Sequence, residues 1–396
     1  MLAGQQQRVR AHAGASRPCS INVTPRSVSS SSRPRHQLQQ CSAAAPLRDV
    51  LELLISRQDI SEQQAQDTMH GILQDFSPEQ AAAFLVLLRA KGETPAEVAG
   101  LAKALLADSL QVQHDHRVVD IVGTGGDGIG SVNISTGACV IAAAAGAYVA
   151  KHGNRSVSSL CGSADVLEAL GVAIDLGPPG VQRCIDEAGV GFMYAPRYHP
   201  AMKRIRGVRS KLKIRTIFNI LGPMLNPANA SFGLVGVYSP DISELMGESL
   251  MRLGMQHALV VHSCGLDELT PMGPADVVEI SPNAPLKRYS LDPKDVGIPR
   301  CEVADLAGGD AALNARILRD VFGGARGAVA DALNLNAGYA LAAAKVVPSP
   351  IEGVALAQEV QRAGKAAGTL DKWIAVSQEA LQQEQRAAQQ LTTAAA

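Results

Sequence analysis

The stretch Val118 to Val122 is a β-branched run broken only by Asp120. It ends in the turn Gly123-Thr124-Gly125-Gly126-Asp127-Gly128, and a helical pattern opens soon after, near Ser135. An apolar strand that enters a glycine-rich turn and then a helix constrains the chain to an α/β arrangement, because parallel strands can be joined only by long crossovers. The residues that follow keep to this alternation. Strands are expected at Tyr148 to Ala150, Gly233 to Tyr238 and Ala258 to Val261. Helices are expected at Ser135 to Ala145, Ala164 to Leu170, Gly180 to Glu187, Glu244 to Leu253, Ala311 to Val321 and Ile351 to Arg362. Four helical patterns precede them: Pro46 to Ser56, Ser61 to Leu73, Ser77 to Ala90 and Thr94 to Leu106. The last three open on Ser or Thr, two of them with proline at the first helical position, which is how helix starts are written in sequence. The spacing therefore predicts a helical domain at 46–115, joined in space by the basic helical segment at about 198–215, and an α/β domain at 116–385. A frayed tail is expected at 386–396, and no internal repeat is visible.

Residues 1–45 are a different material. From Met1 to Arg48 there are seven arginines, eight serines and no acid. Such a segment lacks the apolar periodicity to offset its ordering entropy, so it is expected to be disordered. Arg-rich, Ser-rich and acid-free is the composition of an organelle transit peptide, and it leans to the plastid over the mitochondrion; a plain basic tail is the alternative. Taking seven positive charges from the formal net charge of −1 leaves the remainder at −8. That, with 3% aromatics, opposes a nucleic-acid partner. The longest uncharged apolar stretch, Gly137 to Ala150, has 14 residues, too short for a membrane span of about 20. Seven cysteines (19, 41, 139, 161, 184, 264 and 301) form no CxxC pair, which speaks against a zinc site or a disulfide framework.

Five stretches carry chemistry. The Gly123–Gly128 turn formally matches a dinucleotide fingerprint, yet no Asp or Glu lies between Asp127 and Asp165 to hold a ribose. A backbone phosphate cradle with a carboxylate beside it suits a magnesium-bound diphosphate; a flexible surface loop is the alternative. Asn133-Ile134-Ser135-Thr136 opens a helix, either as a simple cap or as a holder of phosphate oxygen. Lys151 to Ser159 follows a short strand and reads as an anion-binding loop, and Gly162-Ser163-Ala164-Asp165 caps the next helix. The Asp267–Glu268 pair at a strand end is a candidate magnesium site, although adjacent acids are often merely solvated. The basic stretch from His199 through Lys203, Arg206, Arg209, Lys211, Lys213 and Arg215 offers an arginine to clamp a carboxylate, or else a solvated helix face.

Taken in order, DIVGTGGDG (120–128), NIST (133–136), AKHGNRSVSS (150–159), GSADVLEALG (162–171), APRYHPAMK (195–203), RTIFNILGPMLNP (215–227) and GLDEL (265–269) resemble the anthranilate phosphoribosyltransferase family of tryptophan biosynthesis, from about Arg48 to about Ala380. The resemblance implies an α/β fold of the nucleoside phosphorylase/phosphoribosyltransferase class, with a small helical N-terminal domain and the site in the cleft. It implies transfer of the phosphoribosyl group of 5-phosphoribosyl 1-diphosphate to the amine of anthranilate, with two magnesium ions and a homodimer. By the same resemblance, the phosphoribosyl diphosphate would be held by Gly123, Gly126, Asp127, Ser131, Asn133, Ile134, Ser135 and Thr136. Lys151, His152, Gly153, Asn154, Arg155, Ser156, Val157, Ser158, Ser159 and Ser163 would join them. Ser135 and Glu268 would bind one magnesium, and Asp267 with Glu268 the other. Gly123, Asn154 and Arg209 would contact anthranilate. Lys151 and Arg155 would neutralise the leaving group, and no general base is assigned. Departures from the family pattern at Gly137, Cys161 and Ser263-Cys264 touch none of these roles. A pyrimidine nucleoside phosphorylase would have no use for the Asp267–Glu268 pair, and a nucleic-acid-binding relative would need a basic groove.

Overall fold

The computed structural model describes residues 46–75, 77–156 and 160–395. The expectations for residues 1–45 and for Val157, Ser158 and Ser159 lie outside the described residues.

Four helices come first: α1 (Leu47–Ile55), α2 (Glu62–Gln74), α3 (Pro78–Lys91) and α4 (Pro95–Ala107). Ser61 and Thr94 each close a capping box on the third residue of their helix, and Ser77 accepts from the Gln80 N–H, so the sequence starts mark the real ones. The chain then alternates: β1 (Val118–Gly123), α5 (Ile134–Ala144), β2 (Tyr148–Gly153), α6 (Ser163–Leu170), α7 (Pro178–Ala188), β3 (Val190–Tyr194), α8 (Ala195–Tyr198) and α9 (Met202–Leu212). It continues through β4 (Phe232–Gly236), α10 (Ser243–Arg252), β5 (His257–Ser263), β6 (Ala275–Ile280) and β7 (Lys287–Leu291). Four helices close it: α11 (Ala311–Phe322), α12 (Ala328–Ala343), α13 (Pro350–Arg362) and α14 (Lys365–Ala395).

One sheet carries the strands in the order β3-β2-β1-β4-β5-β6-β7, parallel as far as β5 and antiparallel beyond. Alternate residues serve opposite faces, as strand geometry requires. Leu234, Leu259 and Val261 join the core built with α5, α12 and α14, whereas Val235, Ala258 and Val260 join the core of the N-terminal helices. Helix α9 lies on α2 and α3, and its Ile205 and Val208 belong to that second core. The helical group is thus seated on α10 and the far half of the sheet.

Two expectations are corrected. The strand expected to stop at Ala150 runs on through Lys151, His152 and Gly153, which pair with Phe192, Met193 and Tyr194 of β3. The expected frayed tail is instead the end of α14, which continues to Ala395 with its side chains exposed from Gln385 to Thr393.

Candidate active site

The order of the sheet places the site. From β1 the chain first moves outward to β2 and β3, then returns to the other side of β1 as β4. Crevices form where connections diverge in this way, at the carboxyl ends of the strands. Here those ends are Gly123 and Gly236, paired across β1 and β4. Both are glycine because Asp267 is pressed against them: a Cβ on Gly123 would overlap the Asp267 carboxylate, and one on Gly236 would overlap its carbonyl oxygen.

The glycine-rich turn leaves β1 with Gly125, Gly126, Gly128 and Gly130 all at positive φ, a conformation that costs other residues energy. It is held from two sides. The Gly125 N–H donates to Asp267 Oδ2 at 2.5 Å, and the Arg215 guanidinium donates to the Gly126 carbonyl at 2.7 Å. Asp127 reaches the Asp267 carboxyl, and the two repel each other's ionised forms. Burial and that repulsion push Asp267 up to about 6. Glu268 is enclosed beside it. Its Oε1 accepts from the Ser135 N–H at 3.2 Å at the start of α5, and its Oε2 is buried without a partner among the described residues. Burial and the neighbouring Asp267 push it up to about 8.

Under this cluster lies a buried polar layer. Lys151, 2% exposed, donates from Nζ to the Ile121 carbonyl at 2.7 Å, and its charge favours the ionised forms of both Asp120 and Glu268. Asp120 is pushed up to about 6 by burial, against hydrogen bonds from the His152 N–H and from Asn226 Nδ2 at 2.7 Å. Asn226 Nδ2 also donates to the Ala150 carbonyl, tying the 215–227 segment to β2. His152 packs edge-on to His199 with ring centroids 5.1 Å apart, and burial holds it down at about 3.

The structure therefore brings Gly123, Asp127, Ser135, Lys151, Asp267 and Glu268 together. Gly126 joins them through the turn that Arg215 braces. Thr136 stands in the first turn of α5 with a buried, unpartnered hydroxyl, and Ile134 is fully buried beside it. Lys151 and His152 are strand residues, buried in the sheet rather than open to solvent in a loop. Other expected residues stand apart. Arg155 pairs with Asp165 at 2.9 Å and Glu168 at 2.6 Å on α6, so its charge is already answered. Asn133 turns its amide to the Cys161 carbonyl and accepts from Asn314, and Ser131 bridges to Ala307. Asn154 and Ser156, just beyond Gly153 at the end of β2, are stapled to the start of α6 at Ser163. Ser163 Oγ donates to the Asn154 carbonyl, and Asp165 Oδ2 accepts from the Ser156 and Gly162 N–H groups. Arg209 lies over the Phe218 ring at 5.0 Å, and makes no ion pair with any described residue; burial lowers its pKa from the usual arginine value.

Asp120, Asn226 and Arg215 were not singled out for these contacts by sequence reasoning, although all three lie within motifs it quotes. Their long-range partners, 106 residues apart for Asn226 and Asp120, leave no local signal.

The donor set fits magnesium, a hard cation that takes carboxylate oxygens and keeps several waters. Glu268 has an orphaned buried oxygen, and both raised carboxyls gain from a nearby positive charge. Among the described residues no group of three or more His, Cys, Asp or Glu side chains is placed to hold a metal ion by itself. A cation here would draw its remaining ligands from water and from a phosphorylated substrate.

Residues 115–367 match the a/b domain of a glycosyl transferase family, and residues 48–109 match its helical bundle domain. An anthranilate phosphoribosyltransferase of Roseiflexus castenholzii is 46% identical over 335 residues, covering 84% of this chain and 98% of that protein. That of Rubrobacter xylanophilus is 46% identical over 334 residues, covering 84% and 97%. Among solved structures, the Thermus thermophilus anthranilate phosphoribosyltransferase superposes with a TM-score of 0.79 at 42% identity, covering 83% of this chain and 99% of that one. The Saccharomyces cerevisiae enzyme, in complex with PRPP and Mg, gives 0.77 at 26% identity, covering 84% and 98%.

Proposed function

The chain belongs to the anthranilate phosphoribosyltransferases, and we propose that its glycine-rich turn and its Asp267–Glu268 pair hold 5-phosphoribosyl 1-diphosphate through magnesium. The enzyme transfers the phosphoribosyl group of that substrate to the amine of anthranilate, giving N-(5-phosphoribosyl)anthranilate and diphosphate in tryptophan biosynthesis. The observation that carries the site assignment is the convergence of Asp127, Asp267 and Glu268 on the β1–β4 switch point.

Breaking the bond from C1 to the diphosphate leaves positive charge on the ribose and negative charge on the leaving group. When bound, magnesium supplies the charge that neutralises the diphosphate. The chain's residues then have three tasks. The phosphates would lie against the positive-φ glycines of the turn and the start of α5, where the Gly125 and Ser135 N–H groups already fix the two carboxylates that take the cations. Asp267 and Glu268 would hold the cations, with Ser135 and Glu268 as the ligands for one and Asp267 and Glu268 for the other. Lys151 is fixed beside Glu268, where its charge favours the ionised carboxylate against the burial that raises it, and so helps the carboxylate give up its proton to a cation.

Anthranilate's amine is uncharged at neutral pH and needs aiming more than deprotonation. Arg209, with no carboxylate partner among the described residues, would clamp the substrate carboxylate, with Asn154 and Gly123 lining the approach. His152, held neutral by burial, is no proton donor here. We also infer a homodimer through the helical domain, for which exposed Ile55 on α1 and Val86 on α3 offer apolar surface; light scattering tests it. The Arg- and Ser-rich residues 1–45 support delivery to the plastid, and uptake and trimming by isolated chloroplasts is the test.

The activity itself is tested by the loss of anthranilate fluorescence with the full-length chain. Loss that requires both 5-phosphoribosyl 1-diphosphate and magnesium is expected. Phosphate-dependent cleavage of a pyrimidine nucleoside instead, with no loss, would support the phosphorylase reading.

A further inference from the structure

Arg215 belongs to none of the roles above, yet it connects several distant segments of the chain. Its guanidinium donates to the Gly126 carbonyl and lies over the Tyr238 ring at 4.0 Å, and its own carbonyl accepts from Arg89 of α3. Tyr238 in turn donates its N–H to Thr124 Oγ1 at 3.1 Å, and the Thr124 N–H donates to the Gly236 carbonyl. One residue thus links a helix of the N-terminal group, the segment leaving α9, the end of β4 and the glycine-rich turn.

We propose that Arg215 is a positioning residue that couples the placement of the helical group, which carries Arg209, to the shape of the turn that cradles the phosphates. The inference rests on the site assignment made above. Backbone bonds hold the turn at its two ends, at Thr124 and Gly130, and leave its middle to side chains. Four of its glycines sit at positive φ, and besides Asp267 the Arg215 guanidinium is its only side-chain brace from another segment among the described residues. A guanidinium that both donates to a carbonyl and stacks on a ring has a fixed orientation. A shift of α3 and α9 is therefore carried to Gly126, and ordering the turn is carried back to Arg209. Two sites joined in this way change each other's affinity by the same factor, and here the ordered turn favours the placement of Arg209 that binds anthranilate.

The test uses magnesium diphosphate, the leaving group, as a non-reacting occupant of the phosphate site, with anthranilate binding followed by fluorescence. In the wild-type enzyme, magnesium diphosphate is expected to tighten anthranilate binding about fivefold or more. Arg215→Gln and Arg89→Ala are both expected to bring that factor close to one at an unchanged melting temperature, and Arg215→Lys to restore part of it. Arg89 touches only the Arg215 carbonyl end of the strut, so it separates coupling from direct ligation. If Arg89→Ala keeps the full factor while Arg215→Gln merely weakens diphosphate binding, Arg215 is a ligand and the proposal is overturned. A wild-type factor of one overturns it as well. Absence of any phosphoribosyl transfer by the wild type would instead sink the functional reading on which it rests.

Discussion

Glu268 is enclosed at the start of α5 with one oxygen on the Ser135 N–H and the other without a partner among the described residues, a costly state for a carboxylate unless a cation or a proton completes it. Glu268→Gln keeps the shape and removes the charge. Turnover should fall about 10²- to 10³-fold, the scale seen when one preorganised stabiliser of developing charge is lost, while the magnesium-free protein melts no lower than the wild type. Steady-state rates and calorimetry of the two proteins check this. Arg209→Ala should raise the KM for anthranilate about 10- to 100-fold, as loss of a charge-assisted hydrogen bond of about 1.5–3 kcal/mol implies, with the KM for the diphosphate substrate little changed. Equal losses for both substrates would count against the clamp. The pair Asp267–Glu268 was visible in the sequence, because adjacent acids after a strand stand out. Its burial was not, since the groups around it come from β1, β2, β4 and the start of α5. Lys151 was misplaced for a related reason: a charged residue after an apolar run reads as the strand's end, unless a buried carboxylate waits for it.

At the scale of elements, the site depends on two glycines facing each other across β1 and β4. Gly236→Ala puts a methyl group into the Asp267 backbone, so it should abolish magnesium-dependent turnover and cost about 1–3 kcal/mol or more in a denaturant titration. Asn226→Ala strips Asp120 of a buried partner and frees the Ala150 carbonyl, and about 1–3 kcal/mol of stability should go with it. Helices α2, α3 and α4 were readable from their caps, β1 from its β-branched run, and β4 and β5 from the alternation of short strands and helices that follows it. Strands β3, β6 and β7 were missed. The first is a Val-Gly-Phe-Met-Tyr stretch without alternation, and the last is exposed along most of its length. Helix α12 was missed because it is buried almost all round and shows little apolar periodicity. The Gly123–Gly236 approach needed register, which no local pattern specifies.

For the whole molecule, the buried carboxyls set a pH dependence. Asp120 and Asp267, raised to about 6, and Glu268, raised to about 8, keep protons in the folded state that the unfolded chain has lost. A raised carboxyl costs nothing below its unfolded value and destabilises increasingly until pH passes its folded value. The magnesium-free enzyme should therefore lose melting temperature from about pH 4 towards pH 8. Magnesium, which binds the ionised forms, should widen its stabilisation over the same window. Differential scanning calorimetry across that range, with and without the ion, would show it; a flat difference would contradict the cluster as described. The most direct test of the central claim is a calorimetric titration of 5-phosphoribosyl 1-diphosphate, with and without magnesium, into the wild type and into Asp267→Asn/Glu268→Gln. The account predicts magnesium-dependent binding that collapses in the folded double variant to its magnesium-free level. Undiminished magnesium-dependent binding by that variant would contradict it.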